Sequence, residues 1–276
     1  RGAVSAMLTG LSYGANTVTA AAGELSPASV NVLGQWDLHL SGGLQLFTVP
    51  VVLPDPDPAK VLGLPADYLR VARYDAAAED WEVYPGLAFG LEPGRGYFGR
   101  FPEPRVASLT DGQPLPEDQP VELAFSHRGW HLLGNPRLGV LPWKLGEIGV
   151  LQGGAETGRL AAYVSGPSSL SRPVEPYLWV YDETDPASPY RLVFDPDYLS
   201  HVPAALRARV VPSLLSGQGA WALINADGCG YRLPAAATRS TPGRSARLAG
   251  PPPAPRSSTG SAKPSPGTAT TNRGGE

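Results

Sequence analysis

Several groups of residues in this chain have types and spacings that could carry chemistry. Gly10-Leu-Ser-Tyr-Gly14 has the G-x-S-x-G spacing of a nucleophile elbow. Such an elbow holds a serine, here Ser12, on a sharp strand-to-helix turn. The segment that follows, Asn16-Thr-Val-Thr19, is β-branched and poor in helix formers, so the expected element is a strand and the hydrolase reading is disfavoured. Asp55-Pro-Asp57 and Asp195-Pro-Asp197 place carboxylates two positions apart, as calcium loops do, but the glycine and distal glutamate of such a loop are absent. Asp-Pro is equally a turn former. The histidines are His39, His127, His131 and His201. Only His127 and His131 are close in sequence, and in a strand that spacing separates them by about 13 Å, too far to share a metal. Cys229 is the sole cysteine, which rules out an internal disulfide and leaves a small residue near a strand end as its expected role. No metal and no cofactor is expected.

The remaining chemistry is aromatic. Trp36, Trp81, Trp130, Trp143, Trp179 and Trp221 stand beside eleven tyrosines. Exposed rings on a β face would form a sugar-stacking platform; buried rings would fill cores, since each buries up to ~250 Å². Core packing is the expected role, and Phe98 and Trp221 in particular are expected on the buried faces of their strands.

The elements that must position these residues are strands. Glycine (33) and proline (31) make up about 23% of the 276 residues, which implies many turns and argues against long helices. Short helical turns are expected at Pro58–Leu62, Pro142–Glu147 and Pro203–Ala208, each with proline near its start. The strand signals come twice in one order. Gly43 to Pro50 matches Gly129-Trp-His-Leu-Leu-Gly-Asn-Pro136, Val71 to Asp75 matches Leu178 to Asp182, and Trp81 to Tyr84 matches Tyr190 to Val193. Gly94, Gly96 and Phe98 then match Gly217, Gly219 and Trp221. The gap from Pro50 to Tyr74 is 24 positions, and from Pro136 to Tyr181 it is 45. Closure entropy grows only with the logarithm of loop length, so the insertion costs little.

Charge bounds the partners. From Ala235 onward six basic residues face one acidic residue, and the rest of the chain carries 16 basic against 24 acidic, a net −8. An acidic body disfavours nucleic acid. No apolar run approaches the ~20 residues of a membrane helix. The chain begins at Arg1 without an initiator Met or a signal peptide, and is read as part of a longer protein.

Gly129 to Pro136 and Pro93-Gly94-Arg95-Gly96-Tyr97-Phe98 resemble the Gly-Trp-Asn-Leu-x-x-x-Pro strand and Pro-Gly-x-Gly-Tyr-Trp hairpin of bacterial extracellular β modules. The resemblance covers roughly residues 40 to 230. It departs at His131, at Gln45 and at Ser216-Gly-Gln-Gly-Ala220, where no proline turn stands. Leu8 to Ala20, with Gly10-Leu-Ser-Tyr-Gly-Ala-Asn16, resembles the closing hairpin of a bacterial immunoglobulin-like domain. These resemblances imply an extracellular or cell-surface location and no catalytic residues.

The expected fold is therefore all-β: two related β-sandwich-like units with short helical turns, plus a disordered tail. The expected boundaries are a partial immunoglobulin-like hairpin at 1–23, β unit 1 at 24–110, a linker at 111–120, β unit 2 at 121–234 and the tail at 235–276. The expected function is a non-catalytic structural or adhesion module of a larger bacterial protein, with neighbouring domains or a glycan as its partners. The alternative is a carbohydrate-binding accessory region of a secreted polysaccharide-degrading enzyme.

Overall fold

The computed structural model describes residues 14–20, 28–34, 36–109, 111–164, 172–185 and 187–235. Ser12 and its glycine-flanked motif lie outside these residues, as does the tail after Ala235. The chain divides into residues 1–238 and residues 239–276, and every element described belongs to the first of these.

The architecture is all-β. A first hairpin pairs β1 (Gly14–Ala20) with β2 (Ala28–Gly34) in unbroken register, so its strands straddle position 23. Next come β3 (Asp37–Leu40), β4 (Gly43–Phe47), β5 (Val51–Val52), helix α1 (Pro58–Leu62), β6 (Val71–Asp75) and β7 (Asp80–Tyr84). They are followed by β8 (Tyr97–Phe101), β9 (Arg105–Ser108) and β10 (Gln113–Pro114). The second half holds β11 (Val121–Phe125), β12 (Gly129–Gly134), β13 (Leu141–Pro142), β14 (Gly149–Gln152), β15 (Ala155–Arg159) and α2 (Leu160–Val164). It ends with β16 (Val174–Tyr181), β17 (Tyr190–Val193), α3 (Ala204–Arg207), β18 (Val210–Val211), β19 (Ser213–Leu214), β20 (Gly219–Ile224) and β21 (Cys229–Leu233).

Two sheets carry the repeat. The first is ordered β4-β8-β6-β7 and the second β12-β20-β16-β17-β18. Their first four strands pair in the same register. Leu46 faces Phe98 as Leu132 faces Trp221. Ala72 faces Phe98 as Trp179 faces Trp221. Tyr74 faces Trp81 as Tyr181 faces Tyr190. Each repeat closes a core of its own. Leu38, Leu40, Phe47, Val71, Tyr97 and Phe101 anchor the first, with Leu62 of α1 above them. In the second, the β11-β21-β14-β15 sheet supplies Val150 and Tyr231 against Leu178, Val193 and Ala222 of the larger sheet.

Two stretches differ from expectation. Pro142–Glu147 forms turns rather than helix, with Ile148 N–H donating to the Lys144 carbonyl. The stretch at 111–120 is more than a linker: β10 pairs with β5. Buried Arg137 then donates to the carbonyls of Glu117, Gln119 and Pro234, fixing the stretch against the end of the second repeat.

The repeats dock by exchanging their turns. Gly94 and Gly217, at φ of 81° and 75°, supply the left-handed corner of each Gly-x-Gly turn, a conformation that costs glycine nothing. Gly134 N–H donates to the Gly94 carbonyl, and Thr48 N–H donates to the Gly217 carbonyl, both at 3.0 Å. Isolated bridges join Arg95 to Leu133 and Gln218 to Phe47. Since Arg95 and Gln218 are equivalent, as are Leu133 and Phe47, the turn of each repeat meets the first strand of the other about a pseudo-two-fold axis. The buried Thr48 hydroxyl donates to the Arg95 carbonyl at 2.6 Å. Pro136, buried, closes the end of β12 where Gly94 packs.

Candidate functional site

The pseudo-axis passes through aromatic rings. Phe98 and Trp221, equivalent in the repeat, touch at 6.2 Å between centroids. Tyr74 meets Trp221 at 5.5 Å, and its counterpart Tyr181 meets Phe98 at 5.9 Å, at interplanar angles of 69° and 73°. The expectation that Phe98 and Trp221 sit on core faces is corrected here: both are half-buried. In β8 it is Tyr97 and Phe101 that point into the core, and in β20 it is Ala220, Ala222 and Ile224. The alternate faces of those strands carry Phe98 and Trp221 to the junction.

The two repeats are not identical, and their differences line a groove. Trp130 stands where the first repeat has Leu44, and Trp179 where it has Ala72. Together with Tyr74, Trp81, Tyr190 and Trp221 they line a cavity of about 650 Å³. Trp81 and Trp130 are each 41% exposed, so the groove is wet along that side. The rings do not form a flat platform. Tyr74, Trp81 and Trp130 stand at 69°, 82° and 84° to Trp221, an edge-to-face box whose walls rise from one central ring.

Of the tryptophans, Trp143 alone is fully buried, its indole N–H donating to the Pro176 carbonyl at 2.9 Å. Trp36 packs against the first core. The other four line the groove. Sequence reasoning singled out Trp130 and Trp221 as repeat positions but missed the site. The signal lay in aromatic residues at matched repeat positions (Tyr74 with Tyr181, Trp81 with Tyr190) whose strand parity is opposite to that of the core.

The turn beside the groove is braced from within. Tyr97 Oη accepts from Glu92 N–H at 2.8 Å and donates to the Gly90 carbonyl at 3.1 Å. Burial pushes this phenol up to about 12. A separate polar cleft of about 280 Å³ is lined by Tyr74 together with Arg73, Asp75, Glu82, Arg95 and His131. Arg73 and Glu82 alternate with Tyr74 and Trp81 along β6 and β7 and so face the opposite side of that ribbon from the groove. Arg73 and Glu82 form a cross-strand ion pair through Arg73 Nε. Arg95 Nε pairs with Glu92 at 2.8 Å. The His131 ring rests on Phe125 at 4.4 Å, and its Nε2 lies 2.7 Å from the His127 carbonyl. Burial, ahead of smaller effects, holds the His131 imidazole below its usual range and so neutral at pH 7.

The other candidates are occupied with local structure. Asp57 caps α1, accepting from Ala59 and Lys60 N–H, while Asp55 pairs with Lys60. Asp195 is buried, accepts from Leu145 N–H at 3.0 Å, and shares Lys144 with Asp197. His39, His127 and His201 are exposed on separate elements. Cys229 is buried at the start of β21, and burial pushes its thiol up. Among the described residues no three side chains of the metal-ligating types converge.

No family model, no curated protein and no solved structure matches this chain.

Proposed function

We propose that this chain is a non-catalytic binding module of a larger extracellular or cell-surface bacterial protein, and that it adheres through the groove at the repeat junction to carbohydrate. One observation carries this reading: six aromatic side chains, Tyr74, Trp81, Trp130, Trp179, Tyr190 and Trp221, line one open cavity of about 650 Å³. That volume falls in the range of small-molecule sites. Aromatic surface is costly to leave wet, and large exposed apolar patches mark interaction sites. Pyranose rings offer apolar C–H faces to stack on such walls and hydroxyls to the surrounding water.

The box geometry favours one chain held between walls over a flat crystalline surface, which would need coplanar rings. Among the described lining residues none is a carboxylate, the group that most glycoside hydrolases use in pairs, and this supports a binding role for the groove. Location and source follow from the resemblance to bacterial extracellular β modules.

A glycan array probed with the intact chain and with Trp130→Ala tests the proposal. The wild type should bind a defined set of oligosaccharides, and the variant should lose them while remaining folded at the assay temperature. A protein that binds no glycan, or a variant that binds as well as the wild type, would reduce the chain to a spacer.

A further inference from the structure

Each side chain lining the aromatic groove carries one polar group, which makes four indole N–H donors and two phenol hydroxyls. An indole only donates, whereas a phenol both donates and accepts. Among the described residues no protein acceptor takes any of the four indole N–H groups, while the buried N–H of Trp143 is bonded to the Pro176 carbonyl. Nor is any of the four sealed from solvent without a partner. The groove therefore meets its ligand with open donors, and among the described lining side chains only the two phenol oxygens accept.

An unmodified sugar matches this balance poorly. Every free hydroxyl brings a donor of its own, and one buried without an acceptor bears its full desolvation cost. O-acylation inverts the balance: it removes the hydroxyl donor, adds a carbonyl acceptor and carries an apolar methyl. The rings at 69°, 82° and 84° to Trp221 meet it in corners, which suit a compact group such as a methyl beside the ring faces that stack a pyranose. No lysine, arginine, aspartate or glutamate is among the described lining residues, so a charged substituent would find no counter-ion. Resting on the carbohydrate reading of the groove, we propose that its ligand is an O-acetylated oligosaccharide, whose acetyl carbonyls accept from the indole N–H groups while the methyls sit in the corners between rings.

Isothermal titration of the intact chain with acetylated xylo- and manno-oligosaccharides, each before and after removal of its acetyl groups by mild alkali, tests this. In at least one pair the acetylated form should bind at least tenfold more tightly than the same chain stripped of acetyl. Trp81→Phe, Trp130→Phe, Trp179→Phe and Trp221→Phe each keep a ring and remove the N–H, and at least one of them should bring that ratio down at least threefold. A stripped form that binds as well or better in both pairs, or a ratio that all four variants keep, would overturn the recognition of acetyl. The groove reading would still stand in that case if Trp130→Ala abolished the binding. Absence of binding in both pairs would also overturn the inference. Oligoproline, whose carbonyls accept with no N–H beside them, probes the other class of ligand. If it binds and no form of either oligosaccharide does, the carbohydrate reading fails together with this inference.

Discussion

At the residue scale, burial divides the aromatics into those that hold the fold and those that line the groove. Tyr97 belongs to the first group, fully buried and bonded on both sides of its oxygen. Tyr97→Phe leaves Glu92 N–H and the Gly90 carbonyl without that partner and should cost about 1–3 kcal/mol, read as a lower urea midpoint. Trp221 is half-buried, so Trp221→Ala should cost less than the ~3–5 kcal/mol of a core aromatic while removing the central ring of the groove. Trp130, 41% exposed and edge-to-face with Trp221, should on change to Ala cost at least the ~0.5–1.5 kcal/mol of that ring contact. His131 gives a pH signature. Its imidazole titrates below the usual range because it is buried. As pH falls below about 6.5 the unfolded chain takes up a proton that the folded chain resists. Stability should therefore be full above that pH and decline as pH drops toward the folded-state value. Urea midpoints at pH 7.5 and 5.5 for wild type and His131→Gln check this: the drop should shrink in the variant, and an identical drop would show that other groups cause it.

At the scale of elements, the exchanged turns make the junction. A Cβ on Gly96 would run into the Leu133 carbonyl, and one on Gly219 would stand 2.9 Å from the Phe47 carbonyl. In both cases the obstacle is backbone and cannot swing aside. Gly96→Ala and Gly219→Ala should each cost at least the ~1–3 kcal/mol of overpacking, lowering the melting temperature by about 2–4 °C per kcal/mol. Gly139→Ala, where a Cβ would meet nothing within 4 Å, is the control and should leave it unchanged. A Gly96→Ala protein that melts with the wild type would mean the repeats do not depend on this contact.

The strands and their repeat order were legible because glycine, proline and alternating apolar residues mark turns and pleats directly. The face each strand turns to its core was not. In β20, Ala220-Trp221-Ala222-Leu223 is apolar on both sides, so period-two alternation cannot choose between them. The choice falls against size, alanines inward and Trp221 outward, because a second repeat covers the outer face. Nor could the pairing of β10 with β5 be read from a polar, proline-broken stretch, since its partner lies more than sixty positions earlier.

At the scale of the molecule, a duplicated sheet has been docked on its copy, and the places where the copies differ, Trp130 for Leu44 and Trp179 for Ala72, coincide with the open groove. The pseudo-symmetric contacts join the repeats, and the departures from symmetry line part of the groove. Four tryptophans in one wall make the site its own reporter. Titrating the intact chain with the oligosaccharide that binds most tightly on the glycan array, while following tryptophan emission, tests the groove directly. Saturable change in emission should accompany binding, and Trp130→Ala should weaken it at least tenfold, about 1.4 kcal/mol, in a variant still folded at the assay temperature. Emission that stays flat at saturation, or an affinity that survives Trp130→Ala, would place the ligand elsewhere and contradict the groove as the binding site.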